Sequence, residues 1–262
     1  MPDGSLPIYE TNIWDRMSRE EKDAIRIQLQ GWNLSQILHG EQAAMVCASQ
    51  LLEAEADLTI RLCVASQVVD EARHTEVYAK LVKENFEKIH PLSKGLRSLL
   101  KNIFDDCRPD MKSIGMQILI EGIAVAFFST IKSYSTDPFV KKLMNYVLKD
   151  ENRHYSIGLV YLKEKIPHLT EAEKEERQEF VAEACFSLQD HLVGTELWDH
   201  LGLRKNIRTE IGHSSSVVNM KRTLFRRIVP SIREIGLLGS KTIRAFEKIG
   251  IVDPQYQVGS SQ

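Results

Sequence analysis

Cysteine is scarce in this sequence. Four occur, Cys47, Cys63, Cys107 and Cys185, and no two form a C-x-x-C pair. That excludes a disulfide framework and a thiolate zinc site, and predicts reduced, buried thiols in a cytoplasmic protein. An excess of charge of one sign is missing too. The formal net charge is -2 over 262 residues, so the total carries no electrostatic footprint for nucleic acid or an anionic membrane. The basic pairs Lys221-Arg222 and Arg226-Arg227 stand at helical spacing and read as a solvated face. The first nine residues hold no basic segment followed by an apolar stretch, so no signal peptide is expected. There is no flavin or nicotinamide motif, strand signals are few, and no long polar linker divides the chain. Residues 1–262 therefore read as one domain.

What is present is ordinary in bulk: 43% hydrophobic and 27% charged residues, the balance of a globular protein. One long apolar stretch runs from Ile114 to Ile131. It is long enough to span a membrane, but Gln117 and Glu121 lie within it, and a carboxylate at mid-bilayer is costly. A buried core helix is the better expectation.

The 3.6-residue periodicity predicts an all-α protein. Ser18-x-x-Glu21 is a capping box opening a first helical stretch, and a long helix follows around Trp32 to Glu55. Asp57 caps a helix to about Phe86. Pro91 marks a break before a short helix from Leu92 to Phe104. Pro109-Asp110 opens a helix to about Tyr134, and Asp137-Pro138 opens one ending near Pro167. Thr170-x-x-Glu173 is a second capping box, for a helix to about His200. Segments from Val217 to Ile235 and Ser240 to Ile249 follow, interrupted by Pro230 and Gly236, with a disordered tail after Pro254.

The central observation is an internal echo. Glu41 and Glu121 are 80 positions apart, as are Glu71 and Glu151, and His74 and His154. Asp70-Glu71-Ala72-Arg73-His74 answers Asp150-Glu151-Asn152-Arg153-His154. Each half is thus a helix with one Glu followed by a helix with Asp-Glu-x-Arg-His. Two such hairpins make a four-helix bundle with approximate two-fold symmetry.

On a helix, Glu and His three apart share a face and reach one interior point. One Glu from each of two helices, with Glu-x-x-His from each of the others, is how helical bundles build two-metal carboxylate sites. Four ionised glutamates balance two divalent cations; without metal, several buried carboxylates would face one another at a cost of several kcal/mol each. Glu121 sits in the apolar setting Ile118 to Val125 and needs a partner, which no Lys or Arg before Lys132 supplies. Oxygen and nitrogen donors favour iron or manganese over structural zinc. Asp70 and Asp150 are expected to hold the second imidazole N–H of the opposite motif's His, with Arg73 and Arg153 neutralising the aspartates. The alternative reading of these four is a pair of surface ion pairs.

These motifs resemble the ferritin-like superfamily over roughly residues 32 to 165, with the core bundle expected over about 32–166. It includes ribonucleotide reductase small subunits, multicomponent monooxygenase hydroxylases, acyl carrier protein desaturases, arylamine N-oxygenases and aldehyde-deformylating oxygenases. The resemblance implies a ferritin-like bundle with an extra helical extension over about 170–250, and a site for two iron ions, a manganese–iron pair being the alternative. It implies catalysis with dioxygen on a small organic substrate: hydroxylation, N-oxygenation, desaturation or oxidative cleavage. Electrons would come from an external donor or from the substrate, and a homodimer is the default assembly. Two other readings are a metal-storage ferroxidase and a radical-generating subunit.

Individual positions bear on the subfamily. Tyr78, four after His74, matches the radical tyrosine of reductase subunits, or is a core aromatic. The position four before the last Glu, a seventh His ligand in arylamine N-oxygenases, is Val147 and speaks against that assignment. Val125 replaces the hydroxylases' Thr, and Met116 replaces the tyrosine of crosslinked oxidases. Size and helix spacing sit nearer the aldehyde-deformylating enzymes. Ala44, Met45, Val125 and Phe128 are candidate pocket residues, with simple helix packing as the alternative.

Overall fold

The structure is a computed structural model that describes residues 3–203 and 205–251. The expected disordered tail after Pro254 lies outside the described residues. Among the described residues there are helices and no strand.

Two antiparallel hairpins form the centre. In the first, α2 (Arg19–Ala54) packs along α3 (Leu58–Asn85), after a short α1 (Asn12–Arg16). In the second, a helix over Pro109–Tyr134, here α5, packs along α6 (Pro138–Lys165), and α3 also meets α6. The short α4 (Lys94–Asp105) links the hairpins. The caps act as the sequence predicts. Ser18 and Glu21 exchange both bonds of the capping box, Asp57 accepts from the Ile60 N–H at 2.9 Å, and Asp137 accepts from Phe139 at 2.7 Å.

The sequence-based segmentation needs correction in four places. The two stretches expected before Glu55 are one 36-residue helix, α2. No proline interrupts it, and Gly31 serves packing: a Cβ there would lie 2.9 Å from the Phe86 ring, so the glycine admits the end of α3. The helix expected to reach His200 stops earlier. α7 (Glu171–Val193) ends at Gly194 with φ +64°, and a separate α8 (Thr195–His200) turns away. Next, α9 (Lys205–His213) was not foreseen. Finally, the break beyond it falls at Arg226 and Arg227 rather than at Pro230. It separates α10 (Ser215–Phe225) from α11 (Ile228–Glu234), where Pro230 occupies the first turn and its missing N–H costs nothing. The last helix is α12 (Ser240–Lys248).

Helix α5 is not uniform. Residues Ile114–Ile120 form a π-helical segment that ends at Glu121. Such widened turns are frequent at functional sites. Gly115 lies in this segment, where a Cβ would come within 2.5 Å of Ile103 of α4. Length and composition alone would let α5 cross a membrane. Here it carries buried Gln117 and Glu121 and packs in the bundle core.

The C-terminal helices are a wall of the same core. α7 packs on α4, α12 on α7, and α10 on α5. Buried Arg177 of α7 ties to Asp110 at the start of α5 at 2.8 Å. Buried Lys112 donates to the Ile103 and Phe104 carbonyls, closing the last turn of α4. Two of the four free thiols, Cys47 and Cys185, are buried as expected; Cys63 is half-buried and Cys107 is exposed, on the loop before Pro109.

Candidate metal centre

All six residues of the echo meet at the centre of the bundle, and all are buried. Their donor atoms fall into two groups. Glu41, Glu71, His74 and Glu151 form one; Glu71, Glu121 and His154 form the other; within each, the donor atoms lie within 4.8 Å of one another. Glu71 is common to both.

The imidazoles define the chemistry. His74 Nε2 lies 3.3 Å from Asp150 Oδ2, and His154 Nε2 lies 3.2 Å from Asp70 Oδ2. Each aspartate thus serves the histidine of the opposite motif. Asp70 is bridged by Arg73 and Arg153, and Arg153 reaches Asp150 at 3.1 Å. These groups outweigh burial and hold Asp70 below its ordinary value: His154 first, then the two guanidiniums. An ionised aspartate takes the Nε2–H, which leaves the lone pair of a neutral ring on Nδ1. His154 Nδ1 points at Glu71 Oε1, 3.0 Å away, yet makes no hydrogen bond. His74 Nδ1 lies 3.1 to 3.4 Å from oxygens of Glu41, Glu151 and Glu71. Lone pairs therefore face carboxylate oxygens, an arrangement only a cation or added protons can satisfy.

The carboxylates say the same. Glu71 Oε2, Glu121 Oε2 and Glu151 Oε1 are buried with no hydrogen-bond partner. Counted without a cation, burial and then the charges of neighbouring carboxylates push Glu41 and Glu121 well above the ordinary value; Glu151 is raised for the same reasons. Burial would raise Glu71 as well, but His154 and His74 outweigh it and hold it down to about 2. Both histidines are raised in turn, carboxylate contacts overcoming burial. A donor set of four carboxylates and two aimed imidazoles fits two divalent cations.

A polar chain beside the site was not anticipated, although Gln117 stood out within the apolar stretch. Ser113 Oγ donates to Gln117 Oε1 at 2.6 Å, Gln117 Nε2 to Gln67 Oε1 at 3.0 Å, and Gln67 Nε2 to Glu121 Oε1 at 2.5 Å. A longer contact joins Gln67 Nε2 to Glu71 Oε1 at 3.4 Å. Every donor points toward the carboxylates. The 80-residue echo shows why this chain exists on one side only. Gln67 corresponds to Val147, Gln117 to Ile37, and Gly158 to Tyr78. A Cβ on Gly158 would sit 2.6 Å from Gln117 Cβ, so that glycine makes room for the amide. On the other side, Tyr78 stacks on Phe128 with centroids 6.0 Å apart and packs with Leu38, Met144 and Val147. The departures from symmetry in the sequence were the signal that could have located both halves.

The family described as P-aminobenzoate N-oxygenase AurF matches residues 1–236. The chain belongs to the p-aminobenzoate N-oxygenase family. Members of that family are ferritin-like di-iron oxygenases, so this N-oxygenase family chain is an oxidoreductase that activates dioxygen at a two-metal site. No curated protein matches it. The match overturns the reservation raised by Val147. Val147 lies in the apolar cluster around Tyr78, so no imidazole approaches the site from there.

A cavity of about 400 Å³ opens on the α2–α5 side of the centre. Glu41, Glu121 and Glu151 form its floor, with Ala44 and Phe128 among its walls. Met45 and Val125, also named as candidate pocket residues, are not among those lining it. Tyr78 is also outside it, fully buried in the cluster that backs Phe128. Leu188, His191 and Leu192 of α7, with Met220 and Leu224 of α10, supply further wall. The C-terminal helices therefore help to build the pocket, a role the sequence did not reveal.

Proposed function

We propose that this protein N-oxygenates a small aromatic amine, with two iron ions held by Glu41, Glu71, His74, Glu121, Glu151 and His154. The observation that carries this reading is the juxtaposition of the two donor groups, sharing Glu71, with an apolar cavity floored by three of the same glutamates. Bound there in the ferrous state, the ions would supply the electrons that activate dioxygen, one oxygen atom of which goes to the amine nitrogen.

The residues of this chain do the rest. Asp70 and Asp150 fix ring orientation and tautomer, so both Nδ1 lone pairs face inward. Arg73 and Arg153 neutralise those aspartates. Gln67 orients Glu121 by its amide N–H. Ile37, Ala124 and Phe127 give the aromatic ring an apolar bed and keep water from the reacting nitrogen. Conversion of an amine to a hydroxylamine puts one oxygen atom of dioxygen on nitrogen and takes the other to water, with two electrons and two protons. An external donor regenerates the ferrous pair, since the chain carries no flavin or nicotinamide motif.

The test is a single turnover of reduced, iron-loaded protein with 4-methylaniline under labelled dioxygen, followed by mass spectrometry. Hydroxylamine carrying oxygen from the gas supports the reading. Oxidation on carbon, or no product from a protein that consumes dioxygen, rejects it.

A further inference from the structure

The chemistry of the cavity wall selects among aromatic amines. Its only ionisable side chains besides Tyr134, among the described residues, are the three metal-facing glutamates and His191. No described lining residue is Lys or Arg. The remaining polar lining groups are neutral, for example Asn33, Asn219 and Thr223. With the glutamates balanced by two divalent cations, an organic carboxylate held in the cavity away from the metal centre would be buried with no Lys or Arg of the lining to pair it. Burying an unpaired charge is strongly unfavourable.

His191 is a neutral donor rather than a substitute cation. Ser93 Oγ accepts from the Leu96 N–H at 3.3 Å and lies 2.8 Å from His191 Nδ1, a contact read with the hydroxyl donating to the ring nitrogen. The ring proton then sits on Nε2, which makes no hydrogen bond to any other described residue. Burial pushes the imidazole down to about 4, so it stays uncharged at neutral pH. Ser93 is itself fixed, its N–H donating to Gln36 Oε1 at 2.9 Å, and Gln36 donating on to the Pro91 carbonyl. The donor is therefore held by a chain of bonds that reaches from α7 through α4 to α2.

We infer that the cavity is built for an uncharged aromatic amine, whose hydrogen-bond acceptor is taken by His191 Nε2–H, and that it discriminates against aminobenzoates carrying a free carboxylate. This rests on the arylamine reading above and narrows it to a substrate class.

The test uses three ligands with the full-length, metal-loaded, oxygen-free protein in titration calorimetry. They are 4-aminobenzamide, 4-aminobenzoate and 4-methylaniline. The first two are nearly isosteric and differ by one charge. The amide should bind about 30-fold or more tighter than the carboxylate. In His191→Leu the amide should weaken about tenfold while 4-methylaniline is unchanged. Carboxylate binding equal to or tighter than amide binding overturns the inference and leaves the arylamine reading standing. Failure of all three to bind a protein that still holds its metals overturns both. The wild-type comparison needs no variant to fold.

Discussion

At the level of single residues, the site is defined by which atom each side chain turns inward. His74 and His154 present Nδ1 because Asp150 and Asp70 occupy Nε2. Asp70→Asn would let the ring of His154 flip or change tautomer. Partners of this kind typically set metal affinity by 10–100-fold, and a loss of about tenfold for one ion is expected by calorimetric titration with ferrous or cobaltous ions. Gln67→Leu should have a similar effect confined to the ion beside Glu121, because it removes the 2.5 Å bond to that carboxylate. Two-step titration isotherms separate the ions: a weakened second step alone matches the account, and equal weakening of both steps contradicts it. The six glutamates and histidines could be read from the sequence because they repeat at a fixed interval and because Glu121 is stranded in an apolar helix. The role of Gln67 and Gln117 could not, since Gln67 reads as an ordinary solvated side chain and nothing local names the partner of Gln117 within its apolar stretch. Only the tertiary contact between α3 and α5 makes them partners.

At the level of elements, the two hairpins are copies bent to different purposes. The side of the bundle where Tyr78 of α3 meets Phe128 of α5 and Val147 of α6 is an apolar cluster. The opposite side, beside Gly158 of α6, houses the amide chain shared by Gln67 of α3 and Gln117 of α5, and the π-helical segment of α5 carries Gln117 within it. Gly158→Ala places a methyl 2.6 Å from Gln117 Cβ and 2.9 Å from its Oε1. It should cost about 1–3 kcal/mol of stability by overpacking, read from denaturant unfolding, and should weaken the Glu121-side ion as Gln67→Leu does. Unchanged stability would mean that α6 can shift away at no cost. The long helices and their caps were legible because periodicity and capping boxes are local signals. The π-helical segment, the stop at Gly194 and the short helices after it were not. Their form depends on what packs against them: Ile103 against Gly115, and the tertiary wall around Trp198 and Ile211.

For the molecule as a whole, the buried charges couple folding to pH. Glu41, Glu121 and Glu151 hold protons above the ordinary 4.5, and His74 and His154 above 6.5. The folded, metal-free chain therefore binds more protons than the unfolded chain across that range. Stability then falls as pH rises above 4.5. Glu71 acts in the opposite sense, but its effect is confined between about 2 and the ordinary 4.5, while His191 and His90, lowered by burial, offset part of the fall below 6.5. Thermal unfolding of metal-free protein should thus show Tm declining from about pH 5 to pH 8, and metal-loaded protein should lose most of that slope because cations replace the protons. A metal-free Tm that rises across the interval would contradict the assignment of these groups as proton holders. That the C-terminal helices belong to this same unit, walling the cavity, was hidden in the sequence, because their apolar residues match any core and no motif marks their partner.

The most direct test is a metal count on protein loaded with ferrous ion under anaerobic conditions and freed of excess, for the wild type beside Glu121→Ala and His74→Ala. The account predicts two irons per chain in the wild type and one or fewer in each variant, with all three proteins folded by circular dichroism. A wild-type chain that retains no iron, or variants that retain both ions, would show that the six converging side chains do not form the metal centre.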